Sequence, residues 1–146
     1  METAVPPTSE VYYSAIYWND FQRVFEYMCE NFTGDRTKWW TVDFQERFCQ
    51  KPFEHALVPL CGNGWVEREV IDRGIARKVT AFDYSTDLLR IAEGQRGGRR
   101  IFYFQADVNT VDFDEDQFDL VVNVASLHHV QYLGFQIVFQ HSSHNL

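Results

Sequence analysis

Two closely spaced glycines, two aspartates and a pair of adjacent histidines are the residues of this chain best suited to chemistry. Gly62 and Gly64 flank one asparagine in the string Leu60-Cys61-Gly62-Asn63-Gly64. At a strand-to-helix turn, glycines let the backbone approach a ligand, and the helix that follows offers unpaired N–H donors. The same string also reads as a tight turn with no ligand. Asp83 follows about 20 residues later, where a carboxylate can accept two hydrogen bonds from a ribose diol; it can equally cap the helix after it. Phe82 and Tyr84, on either side, could flank a nucleoside. In Ala106-Asp107-Val108, Asp107 could accept from the exocyclic amine of an adenine, or be an ordinary loop residue. His128 and His129 are candidate general bases, or residues that pack or cap a helix.

These residues need a scaffold that gathers them, and the hydropathy pattern supplies one. Phe21, Val24, Phe25, Met28 and Phe32 recur at helical spacing, and Thr33-Gly34-Asp35 stops that helix. A second helix is predicted over 38–48, with Trp40, Phe44 and Phe48 on one side and Pro52 beyond its end. Strands are predicted at 55–60, 78–82, 101–104 and 118–124. Helices at 65–73, closed by Gly74, and after Ser85 as N-cap, to residue 93, lie between them. Strands alternating with helices imply crossover connections and a parallel sheet, that is, a Rossmann-like α/β fold with helices on both faces. Ligands bind such sheets at the carboxyl ends of the strands, where the glycine turn, Asp83 and Asp107 all fall. Residues 1–52 read as a polar tail and helical extension, and 53–146 as the nucleoside-binding domain.

Composition narrows the function classes. The 146 residues suit a single domain. With 13 Lys and Arg against 21 Asp and Glu, the net charge is −8, which argues against a binder that tracks nucleic-acid phosphates. No apolar run approaches the ~20 residues of a membrane span, and the N-terminus lacks the basic and apolar regions of a signal peptide. Cys29, Cys49 and Cys61 are odd in number and lack a Cys-x-x-Cys spacing, so neither a disulfide framework nor a structural zinc site is expected. A reduced, cytoplasmic protein is the corresponding expectation. His141 and His144 lack a third ligand, and no metal site is assigned. The run Asp112, Asp114, Glu115, Asp116 and Asp119 reads as a solvated loop, and Arg96, Arg99 and Arg100 as surface. Aromatics make up 16% of the chain. Those at the N-terminus (Tyr12, Tyr13, Tyr17, Trp18, Trp39, Trp40) either pack the helices on the sheet or form a lid over a cofactor.

NAD and S-adenosylmethionine (SAM) both carry adenosine. The dinucleotide fingerprint needs a third small residue, and here Glu67 stands in that place, where a carboxylate would repel a pyrophosphate. SAM carries a positive sulfonium and no phosphate. The motifs, in order, resemble the class I SAM-dependent methyltransferases over residues 53–133. Residues 57–64 are similar to the first glycine-rich motif, and 79–85 to the second strand with its ribose-binding acid. Residues 104–108 are similar to the adenine-side motif, and 118–130 to the fourth strand and the loop facing methionine and substrate. The resemblance implies SAM as cofactor, held by Cys61, Gly62, Asn63, Gly64, Asp83, Tyr84, Asp107, Val108 and Asn123. It also implies a small-molecule methyl acceptor and an in-line transfer assisted by His128 or His129. The chain departs from the family in the first motif, where an acid and a glycine often stand; Val58, Pro59 and Leu60 hold those places. The family's domain has seven strands. Only four are clear here, with residues 134–139 as a short fifth strand or helix, so the C-terminal half is expected to be incomplete and the fourth strand to lie near an edge. A homodimer through that edge is one consequence. The alternative function is a catalytically inactive, truncated relative that binds SAM or a protein partner.

Overall fold

The structure is a computed structural model in which residues 20–131 are described. Tyr12, Tyr13, Tyr17 and Trp18, the expected fifth element at 134–139, and His141 and His144 lie outside the described residues. Among the described residues two helices come first, α1 (Gln22–Thr33) and α2 (Trp40–Phe48). β1 (Ala56–Pro59), α3 (Trp65–Asp72), β2 (Val79–Asp83), α4 (Thr86–Gly94), β3 (Ile101–Gln105) and β4 (Leu120–Val121) follow. The strands form one parallel sheet in the order β3-β2-β1-β4. This is the α/β architecture that the alternating pattern predicts, with its N-terminal helical extension.

β1 is buried at every position, as a strand between two neighbours and under a helix layer must be. In β2 and β3 side chains alternate between faces. Val79, Ala81 and Ile101 share one core with Val66 and Val70 of α3 and Leu89 of α4, and Phe44 of α2 packs against it. On the opposite face Phe82 meets Phe104 at 5.4 Å and Phe113 at 5.8 Å, and Phe113 meets Phe118 edge-on at 5.2 Å. Among the described residues the 106–118 loop, through Phe113 and Phe118, covers part of this second face. Phe102 remains 57% exposed beside it.

The local signals for the helices are physical. Ser85 caps α4, its hydroxyl accepting from Leu88 N–H at 3.3 Å. Gly74 ends the α3 region at φ +69, where a side chain would be strained. α1 has the expected apolar stripe, but the described chain covers little of it. Cys29 is its buried residue, Phe25 stacks on Trp39 at 5.3 Å, and Phe21 and Phe32 stay exposed.

The fourth strand is shorter than the apolar run 118–124 predicts. Ala56 N–H bonds to the carbonyl of Lys78, the residue before β2, while the Leu57 carbonyl accepts from Val122, so successive residues of β1 alternate between their neighbours. Pro59 is thereby turned toward β4, and proline has no N–H to give. The ladder stops, and Ala125 at φ +56 bends the chain away. β4 lies at one edge of the described sheet. Its start is fixed by Asp119, which is no solvated bystander. One carboxylate oxygen accepts from Glu54 N–H at 2.7 Å, the other from His55 N–H at 2.8 Å. Arg99, read as surface, pairs through two nitrogens with Asp72 at 2.7 Å, tying the loop after α4 to α3.

Asp119→Ala removes the acceptor of two charge-assisted bonds that register β4 on β1. Stability should fall by ~1.5–3 kcal/mol, toward the lower end because water reaches the site. Asp119→Asn should recover part of the loss. An unchanged urea midpoint in the alanine variant would show that the strand is held by other means.

Candidate functional site

The carboxyl ends of β1 and β2 are tied together by one side chain. Asp83 accepts from Gly62 N–H at 2.9 Å through one carboxylate oxygen and from Ser85 N–H at 2.9 Å through the other. The ribose-acid and helix-cap readings of Asp83 meet here: it orders the turn ahead of α4, while Ser85 is the N-cap proper. A carboxylate has about four lone-pair sites, and two remain for another partner. The chain reaches this point through three left-handed residues, Leu60 (φ 54), Gly62 (φ 57) and Gly64 (φ 82). Cys61 N–H holds the intervening backbone to Phe82 carbonyl at 3.0 Å.

Above this turn opens a cavity of about 1610 Å³. Of the residues singled out in the sequence, Cys61, Gly62, Asn63, Asp83, Tyr84, Asp107, Val108, Asn123, His128 and His129 all border it. Asp107 folds the start of its loop, one oxygen accepting from the Asn109 N–H at 2.9 Å and its amide at 3.0 Å. Asn109 in turn accepts from Gln131 N–H at 2.8 Å, closing the loop onto the segment after β4. Asn123 accepts from the Ser126 hydroxyl at 3.0 Å. His128 and His129 sit in a single 3-10 turn (Leu127–His129), exposed, with ring centroids 4.0 Å apart.

Gly64 stands apart from this group, because it does not border the cavity. A Cβ on it would lie 2.7 Å from the Tyr103 hydroxyl and 2.8 Å from Ala92 Cβ. Its need for glycine comes from the packing below the loop and from its φ, before any ligand is considered. Glu67 also corrects an expectation. It is fully buried and absent from the cavity wall, so it does not stand where it would repel a pyrophosphate. Burial pushes its carboxyl up to about 7, opposed by the nearby donors of its own backbone, Cys61 and Tyr103 and by the charge of Arg68. Neither of its oxygens has a partner at hydrogen-bond geometry, and the buried Tyr103 hydroxyl lacks one too. Burial likewise raises Cys61 and Tyr103, with Glu67 adding to both.

Some wall residues were not singled out as site residues. Met28, Phe32, Trp39 and Trp40 from the α1–α2 region face the same cavity as Gly62 and Asp83. The spacing shows an apolar face in this region but not what it faces. Asn109 and Ser126 emerge only through their bonds to Gln131 and Asn123. His55 is structural: its Nε2 lies 2.8 Å from the Thr80 hydroxyl, and burial lowers its pKa. Among the described residues no group of His, Cys, Asp or Glu is placed to hold a metal ion, and no helix is long and apolar enough to cross a membrane.

The glycine turn, the acid ending β2 and the loop acid after β3 are set around one cavity at the carboxyl edge of a parallel sheet, the edge at which α/β proteins bind their ligands. The methyltransferase domain family matches residues 59–145, more than half of the chain. The chain belongs to this family, the class I SAM-dependent methyltransferases. Among solved structures it is similar to an S-adenosylmethionine dependent methyltransferase from Mesorhizobium loti, with 28% identity and a TM-score of 0.50 over 56% of this chain and 37% of that one. A candidate enzyme of the same kind from Listeria monocytogenes is 21% identical, with a TM-score of 0.54 over 62% of this chain and 42% of that one. Another from Methanococcus maripaludis is 16% identical, with a TM-score of 0.56 over 80% and 49%. The last two likenesses are of fold. The chain thus spans less than half the length of each of these proteins. No curated protein matches it.

Substitutions at two positions test the packing of the turn. Because the Glu67 carboxyl is raised from 4.5 to about 7, the folded state holds this proton more tightly than the unfolded chain. Its stabilisation is full below pH ~4.5 and is lost as pH rises through ~7. Glu67→Gln should therefore gain ~2–3 kcal/mol over the parent at pH 8 relative to pH 5 in urea unfolding. A pH-independent difference would place the ionised carboxylate in water. At Leu60, φ +54 costs a side chain ~1–2 kcal/mol. Leu60→Gly should accordingly be more stable than Leu60→Ala by ~1 kcal/mol, the reverse of the usual order. Equal or inverted midpoints would show the turn to be relaxed with a side chain present.

Proposed function

We propose that this chain binds SAM across the carboxyl ends of β1, β2 and β3 and transfers its methyl group to a small-molecule acceptor. The observation that carries the reading is the Asp83–Gly62 hydrogen bond, which places a carboxylate with spare lone pairs at the glycine turn on the cavity wall. The donor set suits this ligand. The charged lining residues among those described are Asp83 and Asp107, with no Lys or Arg, and Asn63 Oδ1 is buried without a partner. Such a wall accepts hydrogen bonds and favours positive charge, and it has no cation for a pyrophosphate. The preference over NAD thus rests on the cavity wall.

In this reading Asp83 takes the ribose hydroxyls, and Tyr84 and Val108 flank the adenine. Asp107 accepts from the adenine amine through the oxygen its own turn leaves free. The Cys61-Gly62-Asn63 backbone and Asn123 line the methionine side. SAM supplies an electrophilic methyl on a positive sulfonium. For acceptors that hold a proton, His128 or His129 receives it at the cavity mouth. Holding the acceptor in line supplies the larger share of the rate, up to ~7–11 kcal/mol. Residues 53–146 form the SAM-binding unit and 1–52 its N-terminal extension. The β4 edge is the surface through which two copies would pair.

Isothermal titration with S-adenosylhomocysteine tests the reading, with NAD as the competing ligand. Asp83→Ala should weaken binding by ~1.5–3 kcal/mol, and Asp83→Asn by less, because it preserves an acceptor for Gly62. Equal affinity in the alanine variant, or tighter binding of NAD, would remove the assignment. Methyl transfer from labelled SAM to a panel of acceptors then tests turnover. Binding with no transfer would leave a SAM-binding protein without this activity.

A further inference from the structure

The cavity has a wall that SAM recognition does not use. At about 1610 Å³ it exceeds the ~300–1,000 Å³ of a single small-ligand pocket, leaving room for a second molecule. The extra wall comes from the N-terminal helices: Met28 and Phe32 of α1, and Trp39 and Trp40 at the start of α2. The rings are held in place before any ligand arrives. Trp39 stacks on Phe25 at 5.3 Å with planes 20° apart, meets Phe32 edge-on at 6.5 Å, and lies 6.4 Å from Trp40. Phe32 is 58% exposed and both tryptophans are half-buried, so apolar surface is left open.

We propose that this wall is the acceptor subsite, and that it takes a flat, largely apolar molecule without negative charge, held between Trp39, Trp40 and Phe32 and the His128–His129 turn. The inference rests on the SAM reading above and names the class of acceptor. Rigid aromatic faces favour stacking on a planar ring and attract positive charge through the ring quadrupole, while they oppose an anion. Met28 adds an adaptable thioether at the same wall. The charges facing the cavity point the same way: the described lining holds Asp83 and Asp107 and no Lys or Arg. A carboxylate or phosphate on the acceptor would find two like charges and no Lys or Arg, with His128 and His129 the titratable groups that face it. Neutral phenols, aromatic amines and ring nitrogens meet these conditions and also carry a nucleophilic atom.

The test uses the whole chain and three probes with one ring system and different charge: 2-naphthol, 2-naphthylmethylamine and 2-naphthoate. Each is titrated calorimetrically with and without saturating S-adenosylhomocysteine. The neutral and cationic probes should bind at least 10-fold tighter than the carboxylate. Trp39→Leu and Trp40→Leu, which keep apolar volume but remove the large ring face, should each weaken 2-naphthol at least 10-fold with S-adenosylhomocysteine affinity unchanged. Met28→Lys should narrow or reverse the discrimination against 2-naphthoate. The charge order is read on the parent protein, so it stands even where a tryptophan variant does not fold. Equal binding of the three probes, no binding of 2-naphthol, or full affinity in folded tryptophan variants would overturn the proposal. S-adenosylhomocysteine titrated alone reads the SAM assignment separately: its loss with naphthol binding intact would sink that assignment and leave an aromatic-binding cavity.

Discussion

The carboxylate of Asp83 is the joint on which the site depends. It ends β2, yet one oxygen takes the Gly62 N–H from the β1 turn and the other takes the Ser85 N–H that starts α4. Adjacent parallel strands are hydrogen-bonded along their length, but the turns at their carboxyl ends have no such ladder. A charged acceptor between two backbone donors supplies the missing bond, at about twice the strength of a neutral one. It thereby sets the distance between the glycine turn and the acid, which a ligand spanning both strands would have to match. One residue fixes the shape of the site and, in the proposed reading, also contacts the ligand.

Around that joint the cavity is unequal in character. Its sheet side carries the hydrogen-bond acceptors: Asp83 at the end of β2, and Asp107, Asn63 and Asn123 on loops, held by their own bonds or by burial. Its helix side is aromatic. The two sides belong to different parts of the chain, one from the sheet and one from the extension before it. They can therefore answer different requirements. The acceptor-rich side suits a polar nucleoside, and the aromatic side a ligand that avoids anionic charge.

How much of this was legible in the sequence depends on which force decides each feature. The strands and helices of the sheet region follow from periodicity and turn chemistry, and Ser85 and Gly74 act as caps where the pattern places them. The site was legible to the extent that strand ends were: Gly62, Asp83, Asp107 and Asn123 border the cavity because a parallel sheet presents one edge. Two features escaped for separate reasons, and a third was left open between two readings. The length of β4 turns on the missing N–H of Pro59, a defect in the partner strand rather than in its own apolar run. The role of Asp119 depends on donors more than sixty residues away, and nothing local separates it from the acids around it. The facing of Trp39 and Trp40 is a matter of how a helix is docked, which spacing within the helix does not contain.

The two glycines of the turn show why a motif has to be divided before it is interpreted. Both have positive φ, and on sequence grounds both serve a ligand. Beneath the loop, however, Gly64 is hemmed in by Tyr103, Ala92 and Arg68, close to the buried Glu67, whereas Gly62 borders the cavity and gives its N–H to Asp83. A side chain at Gly64 would press on the core and disturb the turn from below. One at Gly62 would strain a residue that is already part of the cavity wall. Loss of binding after substitution at Gly64 would thus be read through the stability of the turn, while at Gly62 it would report on the site itself. The spacing of the pair reflects two constraints acting on opposite sides of one loop, core packing on one glycine and the cavity on the other.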